Sequence, residues 1–293
     1  MITVENVSKA YGKQQSVRNV SFHCRPGRIT GFLGPNGAGK STTMRIIAGL
    51  TTATQGHSTV AGHRYAQLPN PGRVIGLLLD ASAMAKGLTG RQTLWLAAKT
   101  VGVSTTEVDR YLEKVGLNGP AGNRRVGDYS LGMRQRLGIA LALIGRPTAL
   151  MLDEPANGLD PAGILWMRSL LREFADNGGT VLLSSHLLHE MEQISDDLVV
   201  IDNGSIVARG SCAELLSTGT LNVACSDPAT LAAELIAAGS KVERLGDNRI
   251  LVTASAAQVG DLALASGIAI YHLSSATAGS LEDLFMNLTS GGE

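Results

Sequence analysis

The stretch Gly34-Pro-Asn-Gly-Ala-Gly-Lys40-Ser41-Thr42 matches the phosphate-binding pattern G-x-x-x-x-G-K-[ST] at every defined position. An apolar run at residues 29–33 precedes it and is typical of a buried strand, and residues 41–49 have the pattern of a helix that stops at Gly49. Strand, glycine loop and helix together direct backbone N–H groups and a helix N-terminus at a phosphate. The sequence therefore predicts a phosphate-binding loop rather than an ordinary glycine-rich turn.

The composition limits the possible functions. The 293 residues have room for one large domain and a small one, and the 25 basic and 25 acidic residues balance. This balance, with only 4% aromatic residues, gives no support for a nucleic-acid-binding face. The strongest apolar run, residues 137–145, is far shorter than the ~20 residues of a membrane helix, and we expect neither a membrane span nor a signal peptide. Cys24, Cys212 and Cys225 lack metal-ligand spacing, which favours thiols in a reducing compartment.

The order of predicted elements indicates two regions. Strand patterns dominate residues 2–33, helical spacing dominates residues 85–145, and strands and helices alternate from 148 to 208. Ser130 and Asp160-Pro161 each predict a helix start, and Asn203-Gly204 predicts a hairpin turn. Beyond residue 218, three apolar runs alternate with two helix candidates, which predicts a small α/β domain.

Asp153 and Glu154 end an apolar run that reads as another buried strand. Nucleotide-hydrolysing proteins with a phosphate loop need an acid at such a strand end to hold the water shell of Mg²⁺. Asp153 fits that role, and Glu154 is placed to polarise an attacking water. Two solvated acids at a strand end are the alternative explanation, and the upstream loop argues against it.

Four further stretches carry a resemblance to a known family. Tyr129-Ser130-Leu131-Gly132-Met133 is similar to the signature Leu-Ser-Gly-Gly-Gln, of which it keeps the serine and the second glycine. Residues 153–161 resemble the Walker B and D-loop region, Ser184-Ser185-His186 resembles the switch-histidine segment, and Tyr11 resembles an adenine-stacking aromatic residue. With every motif in order over residues 1 to about 215, the chain resembles the nucleotide-binding subunits of ABC (ATP-binding cassette) transporters.

The resemblance implies a fold. We expect an α/β P-loop core with a mostly parallel sheet, joined by an antiparallel β subdomain and an α-helical subdomain at about 80–145. The cassette would occupy residues 1–217, and a C-terminal α/β accessory domain would occupy residues 218–293.

The resemblance also implies the roles of individual residues. Tyr11 would stack on the adenine of ATP, and Ser130 and Gly132 would approach the ATP bound by a second subunit. Mg²⁺ would be held by Ser41 and Asp153. The catalytic residues would be Lys40, Glu154 and His186, with Lys40 between the β- and γ-phosphates and His186 on the γ-phosphate. The residues that would surround the phosphates are Gly34, Pro35, Asn36, Gly37, Ala38, Gly39, Lys40, Ser41 and Thr42.

The chain departs from the family pattern at two positions. Asp80 stands where the family usually has the Q-loop glutamine, and Gln92 stands where glutamate is common. Aspartate is shorter and charged, so its contact with Mg²⁺ and water would be altered.

The resemblance finally implies partners. We expect a dimer of cassettes, identical or paired, docked through residues 80–130 on separate membrane permease subunits at the cytoplasmic face of the membrane. The signature variant and the C-terminal motif at residues 279–285 resemble those of drug- or antibiotic-resistance exporters, which favours efflux. A weakly hydrolysing regulatory cassette and a non-transport ABC ATPase remain the alternatives.

Overall fold

The structure, a computed structural model, describes residues 1–185, 188–245 and 248–277. His186 and the motif at residues 279–285 lie outside this part of the chain. The chain divides into two compact units, Met1–Ser211 and Cys212–Glu293. The division lies slightly before residue 217, where the sequence suggested a boundary.

The first unit contains both strands and helices. Its strands are β1 (Ile2–Tyr11), β2 (Gln14–Cys24), β3 (Arg28–Leu33), β4 (Gln55–Val60), β5 (Ile75–Leu78), β6 (Ala149–Asp153), β7 (Thr180–Ser184), β8 (Asp197–Asp202) and β9 (Ser205–Ser211). Its helices are α1 (Lys40–Ile47), α2 (Gly90–Thr100), α3 (Glu107–Lys114), α4 (Pro120–Asn123), α5 (Leu131–Leu143), α6 (Pro161–Asp176) and α7 (Leu188–Ile194).

Six of the described strands form the central sheet, in the order β5-β6-β7-β3-β8-β9. All neighbours run parallel except β8 and β9, which form the hairpin predicted at Asn203-Gly204. Strands β3, β6 and β7 are apolar and almost wholly buried, as expected for parallel strands covered on both faces. Because β7 lies between β6 and β3, the carboxyl ends of the three strands lie side by side at one edge of the sheet.

A second, antiparallel sheet has the order β2-β1-β4. Its apolar side chains share a core with those of α1 and the central sheet, and Phe22 of β2 meets Phe32 of β3 with ring centroids 5.3 Å apart. Helix α1, which begins at Lys40, therefore packs into the core through Met44 and Ile47.

The helices α2 to α5 surround a core of their own, which includes Leu94, Leu112 and Leu137. Ser130 caps α5 by accepting from the backbone N–H of Met133 at 3.1 Å, as its sequence position predicted. Asp160 likewise caps α6 by accepting from Gly163 N at 2.9 Å, and Pro161 occupies the first helical position. The α/β class predicted from the sequence is confirmed, including the helical region after residue 80.

The second unit begins with α8 (Cys212–Leu216) and continues with β10 (Ser217–Cys225), α9 (Pro228–Ala237), β11 (Lys241–Arg244), β12 (Arg249–Thr253), α10 (Ala256–Ala265) and β13 (Ile270–Thr277). The strands form an antiparallel sheet in the order β11-β12-β10-β13, which is the split β-α-β topology of ferredoxin-like domains. The sequence missed β11, because only Val242 in Lys-Val-Glu-Arg is apolar.

Within the described residues, no helix combines the length and the apolar character that crossing a bilayer requires. The three cysteines are buried, and burial raises the pKa of Cys24 to about 12.

An ion cluster joins two strand starts at the opposite edge of the central sheet. Asp197, the first residue of β8, accepts from Arg28 Nε and Nη2 at 2.7 Å each and from Arg25 Nη2 at 2.9 Å. Burial raises the pKa of Asp197, but the hydrogen bonds and charges of both arginines outweigh it, so the pKa lies below its ordinary value. The cluster therefore stabilises the fold above the unfolded-state pKa of aspartate, and this contribution is lost as the pH falls through the lower folded-state pKa.

We expect Asp197→Asn to lower the free energy of unfolding by about 1 kcal/mol at pH 7, a modest loss because the arginines are partly in solvent. The difference from wild type should be smaller at pH 3, which lies below the unfolded-state pKa of aspartate, because protonation of the unfolded chain removes part of the stabilisation. Urea unfolding at the two pH values measures it. The control is Asp176→Asn, which removes an exposed pair with Arg172; equal losses from both variants would contradict a special contribution of Asp197.

Candidate functional site

The phosphate loop is held in place by its own glycines. A Cβ on Gly34 would lie 2.3 Å from Ile201 O, and one on Gly39, whose φ is +109°, would lie 2.6 Å from Ser16 O. The β8–β9 turn supports the loop from behind, since Gly204 N donates to Ala38 O at 3.0 Å. By contrast, a Cβ on Gly37 would meet nothing within 4 Å, so the exposed tip at Pro35, Asn36 and Gly37 faces open space.

Lys40 lies inside the loop that precedes it. Its Nζ donates to Gly34 O at 2.6 Å and to Pro35 O at 3.2 Å, and the residue is only 6% exposed. Burial lowers the pKa of Lys40, while the negative charges of Glu154 and Asp153 oppose this shift. The loop thus concentrates one ammonium group and the N-terminus of α1 around a single point, which suits an anion.

Asp153 connects three elements at the carboxyl edge of the sheet. Its Oδ2 accepts from Ser41 Oγ at 2.9 Å, and its Oδ1 accepts from Ser184 Oγ at the end of β7. The strand register explains this contact, because Asp153 and Phe32 are both paired with Ser184. Ser41 and Asp153 together offer the hard oxygen atoms that Mg²⁺ prefers, next to the phosphate loop.

Glu154 adopts a backbone conformation that is rare for a residue with a side chain. Its φ is +49°, in the left-handed region. Its N–H donates to Ser184 O at 3.2 Å and to Ser184 Oγ at 3.1 Å, and its carbonyl oxygen accepts from Asn157 N and from Gln135 Nε2, each at 3.2 Å. Strand β6 therefore ends just before Glu154, and hydrogen bonds with Ser184 of β7 and Gln135 of α5 hold the turn there.

The start of α5 packs against the loop that follows Glu154. A Cβ on Gly132 would lie 2.6 Å from Gly158 O, and one on Gly158, whose φ is +76°, would lie 2.5 Å from Leu131 Cγ. Ser130 stands at the head of the helix, where it caps the N–H of Met133, and the other N–H groups of the first turn of α5 have no acceptor within the helix. The structure thus brings the segments that contain Ser130, Gly132 and Glu154 into direct contact.

Three sequence candidates lie apart from this cluster of contacts. Tyr11 is 50% exposed at the end of β1, and Lys9 Nζ lies 4.9 Å from its ring centroid. Asp80 is exposed and caps a 3₁₀ turn, where hydrogen bonds from Ser82 hold its pKa below the ordinary value. His186 falls outside the described residues.

Sequence reasoning assigned no role to Ser184 or Gln135. Ser184 stands in the switch-histidine segment and Gln135 lies two residues beyond the signature segment, but neither residue type indicates a contact with an acidic pair on another element. Because Gln135 stands between Arg134 and Arg136, the sequence gives no signal that its side chain is buried.

Comparisons with known proteins agree with this geometry. A family model described as ABC transporter matches residues 17–157, and another, described as a domain of unknown function (DUF8746), matches residues 219–282. The lantibiotic transport ATP-binding protein SrtF of Streptococcus pyogenes is 39% identical over 207 residues, which cover 71% of this chain and 89% of SrtF. The chain belongs to the ABC transporter ATP-binding family.

Two further proteins illustrate the relationship. The bacitracin transport ATP-binding protein BcrA of Enterococcus faecalis is 41% identical over 219 residues, which cover 73% of this chain and 70% of BcrA. A dimeric, post-hydrolysis structure of the ATP-binding cassette MJ0796 with ADP and Pi matches the fold with a TM-score of 0.67. It is 22% identical and covers 72% of this chain and 99% of the other.

The family assignment confirms what the motifs indicated at the level of the whole protein. The cassette binds ATP and is an ATPase that serves a transporter. The roles of its individual residues stay predictions, and the site geometry makes them testable.

We expect Lys40→Ala to weaken ATP binding at least a hundredfold, because the buried ammonium is the positive charge inside the loop. Titration of the purified cassette with a fluorescent ATP analogue measures the affinity. The control is Lys114→Ala, which removes a lysine from an exposed pair with Glu173. Equal affinities for the two variants would exclude the predicted role of Lys40.

Proposed function

We propose that this cassette powers an exporter of a drug, antibiotic or lipid-like molecule by hydrolysing ATP between two cassettes on separate membrane subunits. The observation that carries the proposal is the convergence of Lys40, Ser41, Asp153 and Glu154 at one edge of the sheet. The words lantibiotic and bacitracin in the names of two relatives support an antibiotic as cargo.

The proposed site holds ATP with Mg²⁺. Residues 34–42 surround the phosphates, Lys40 bridges the β- and γ-phosphates, and Tyr11 stacks on adenine with its exposed ring. Ser41 and Asp153 hold Mg²⁺ directly or through water, and their oxygen atoms are already 2.9 Å apart. The ion supplies charge neutralisation on the phosphates. Asp80 begins the turn after β5, where it is proposed to reach the metal through its water shell.

Glu154 is the proposed group that orients the attacking water. Its backbone is fixed by Ser184 and Gln135, so the carboxylate starts from a defined place. His186 is proposed to contact the γ-phosphate as that charge develops. Because phosphoryl transfer is governed by positioning and electrostatics, Lys40, Glu154 and His186 are the proposed catalytic groups.

The proposed active assembly contains two cassettes. The chain carries one phosphate loop and one signature, and Ser130 and Gly132 belong to a helix start that points its unbonded N–H groups away from its own body. Placed head to tail, each helix start would complete the partner's ATP site. Loss of the γ-phosphate would remove contacts across the interface and let the halves part.

An apolar groove of about 360 Å³ supports docking on a membrane subunit. The groove lies between β5, α2 and α5. Its α2 residues fall within the expected docking region at residues 80–130, and its β5 and α5 residues lie outside that region. Among the lining residues are Ile75, Leu77, Leu96, Ala97 and Leu141. Leu96 is 53% exposed, and the neighbouring Trp95 is 47% exposed. The proposed location of the cassette is thus the cytoplasmic face of the membrane, through its permease subunits.

We expect Leu96→Glu to abolish co-purification with the membrane subunits while the basal ATPase rate changes less than about twofold, because exposed substitutions rarely disturb the fold. Detergent extraction followed by affinity purification of the cassette measures the complex. Leu165→Glu, at a leucine of α6 that is 60% exposed, is the matched control. Retention of the complex by Leu96→Glu would refute this docking surface.

We expect Glu154→Gln to lower the ATP turnover number about a thousandfold with little change in ATP affinity, because the amide cannot accept the proton of the attacking water. Phosphate release by the complex with its membrane subunits measures it. A wild-type protein as slow as this variant would favour the weakly hydrolysing regulatory cassette, to which the aspartate at position 80 also points.

A further inference from the structure

Gln135 is a buried polar residue near the start of α5. It lies on α5 and is 5% exposed, and its helix neighbours Leu137, Ile139 and Ala140 are fully buried core residues. Its Nε2 donates to Glu154 O at 3.2 Å. Its Oε1 is buried and makes no hydrogen bond with any residue that the structure describes. An apolar side chain would fill this position without that cost, so packing alone does not account for a glutamine.

The acceptor of this hydrogen bond is the carbonyl of a residue in a strained conformation. Glu154 has a φ of +49°, which an L-residue adopts only when its surroundings hold it there. Ser184 holds the N–H of Glu154 from the β7 side, and Gln135 holds its carbonyl from the α5 side. The direction of the glutamate side chain follows from this backbone, because the left-handed conformation turns the Cα–Cβ bond out of the strand.

Helix α5 touches the same loop at a second point. At its start, Gly132 and Leu131 lie directly against Gly158. Gly132 packs so closely that a single added methyl would lie 2.6 Å from Gly158 O. Helix α5 therefore contacts the loop from Glu154 to Gly158 at two points. Its first residues pack against Gly158, and the amide of Gln135 donates to Glu154 O.

We propose that Gln135 is a positioning residue that fixes the backbone of Glu154 and couples it to the signature helix of the same chain. This inference rests on the proposed function, in which Glu154 orients water and the signature contacts the partner's ATP. When the start of α5 contacts the ATP of the partner cassette, the rigid helix turn would transmit its displacement to the backbone of Glu154. The hydrolysis step at one site would depend in this way on nucleotide at the other.

The test compares three substitutions in the full chain, purified with its membrane subunits. Gln135→Met has a similar length and no amide, so we expect kcat to fall about tenfold while KM for ATP changes less than twofold. Gln135→His places a ring N–H at a similar reach, so it should recover at least half of the wild-type kcat. Gln258→Met, at an α10 glutamine whose Nε2 also donates to a neighbouring side chain, is the matched control and should leave kcat unchanged.

A second measurement separates positioning from loss of structure. If Gln135→Met only slows hydrolysis, the ATP-bound dimer of cassettes should persist longer, and size-exclusion chromatography in MgATP should find more dimer than with wild type. A misfolded variant would give less dimer and a lower melting temperature. Wild-type kcat in Gln135→Met, a parallel loss of ATP affinity and thermal stability, or no recovery in Gln135→His would each overturn the inference.

The outcome is distinguishable from failure of the proposed function. If Glu154→Gln hydrolyses ATP at the wild-type rate, then Glu154 itself has the wrong role. If Glu154→Gln is inactive and Gln135→Met is fully active, the role of Glu154 stands and only the inference about Gln135 falls.

Discussion

The register of three parallel strands is the constraint on which the site depends. Ser184 ends β7 at the same level as Asp153 of β6 and Phe32 of β3, so Asp153 and the strand that leads to the phosphate loop flank a single hydroxyl group. That hydroxyl donates to Asp153 and accepts from the backbone of Glu154. A shift of one residue in β7 would move the side chain of Ser184 to the opposite face of the sheet and separate the two acids from the loop.

Helix α5 relates this edge to the groove proposed for the membrane subunit. Gly138 of α5 lies against Leu78, with only 2.5 Å left for a Cβ, and a Cβ on Gly76 would lie 2.0 Å from Ala142 O. These contacts bring α5 directly onto β5, the strand that leads to Asp80. One helix thus lines the groove, packs on the Glu154 loop and carries the signature at its start.

Much of this arrangement was readable from the sequence, for physical reasons. The phosphate loop could be found because only glycine tolerates the close approach at Gly34 and the positive φ at Gly39. The caps Ser130 and Asp160 and the turn at Asn203-Gly204 could be found because each depends on local chemistry. The buried strands could be found from continuous apolar runs.

What the sequence did not reveal depends on contacts between distant segments. Nothing near Gln135 indicates that its amide reaches the residue that follows β6, and nothing near Glu154 indicates a left-handed φ. Strand β11 was missed because its charged residues hide the alternation, and its place at the sheet edge comes from pairing with β12. Such features follow from tertiary structure, which a local pattern does not encode.

The two hydrogen bonds of Lys40 to loop carbonyls have a thermodynamic consequence. The ammonium is already desolvated and oriented by Gly34 O and Pro35 O before nucleotide arrives. Binding of phosphate then exchanges one set of oxygen acceptors for another, so little side-chain entropy is lost at this position. Nucleotide binding should therefore carry a smaller entropic penalty at this position than it would at a site whose lysine must first be ordered.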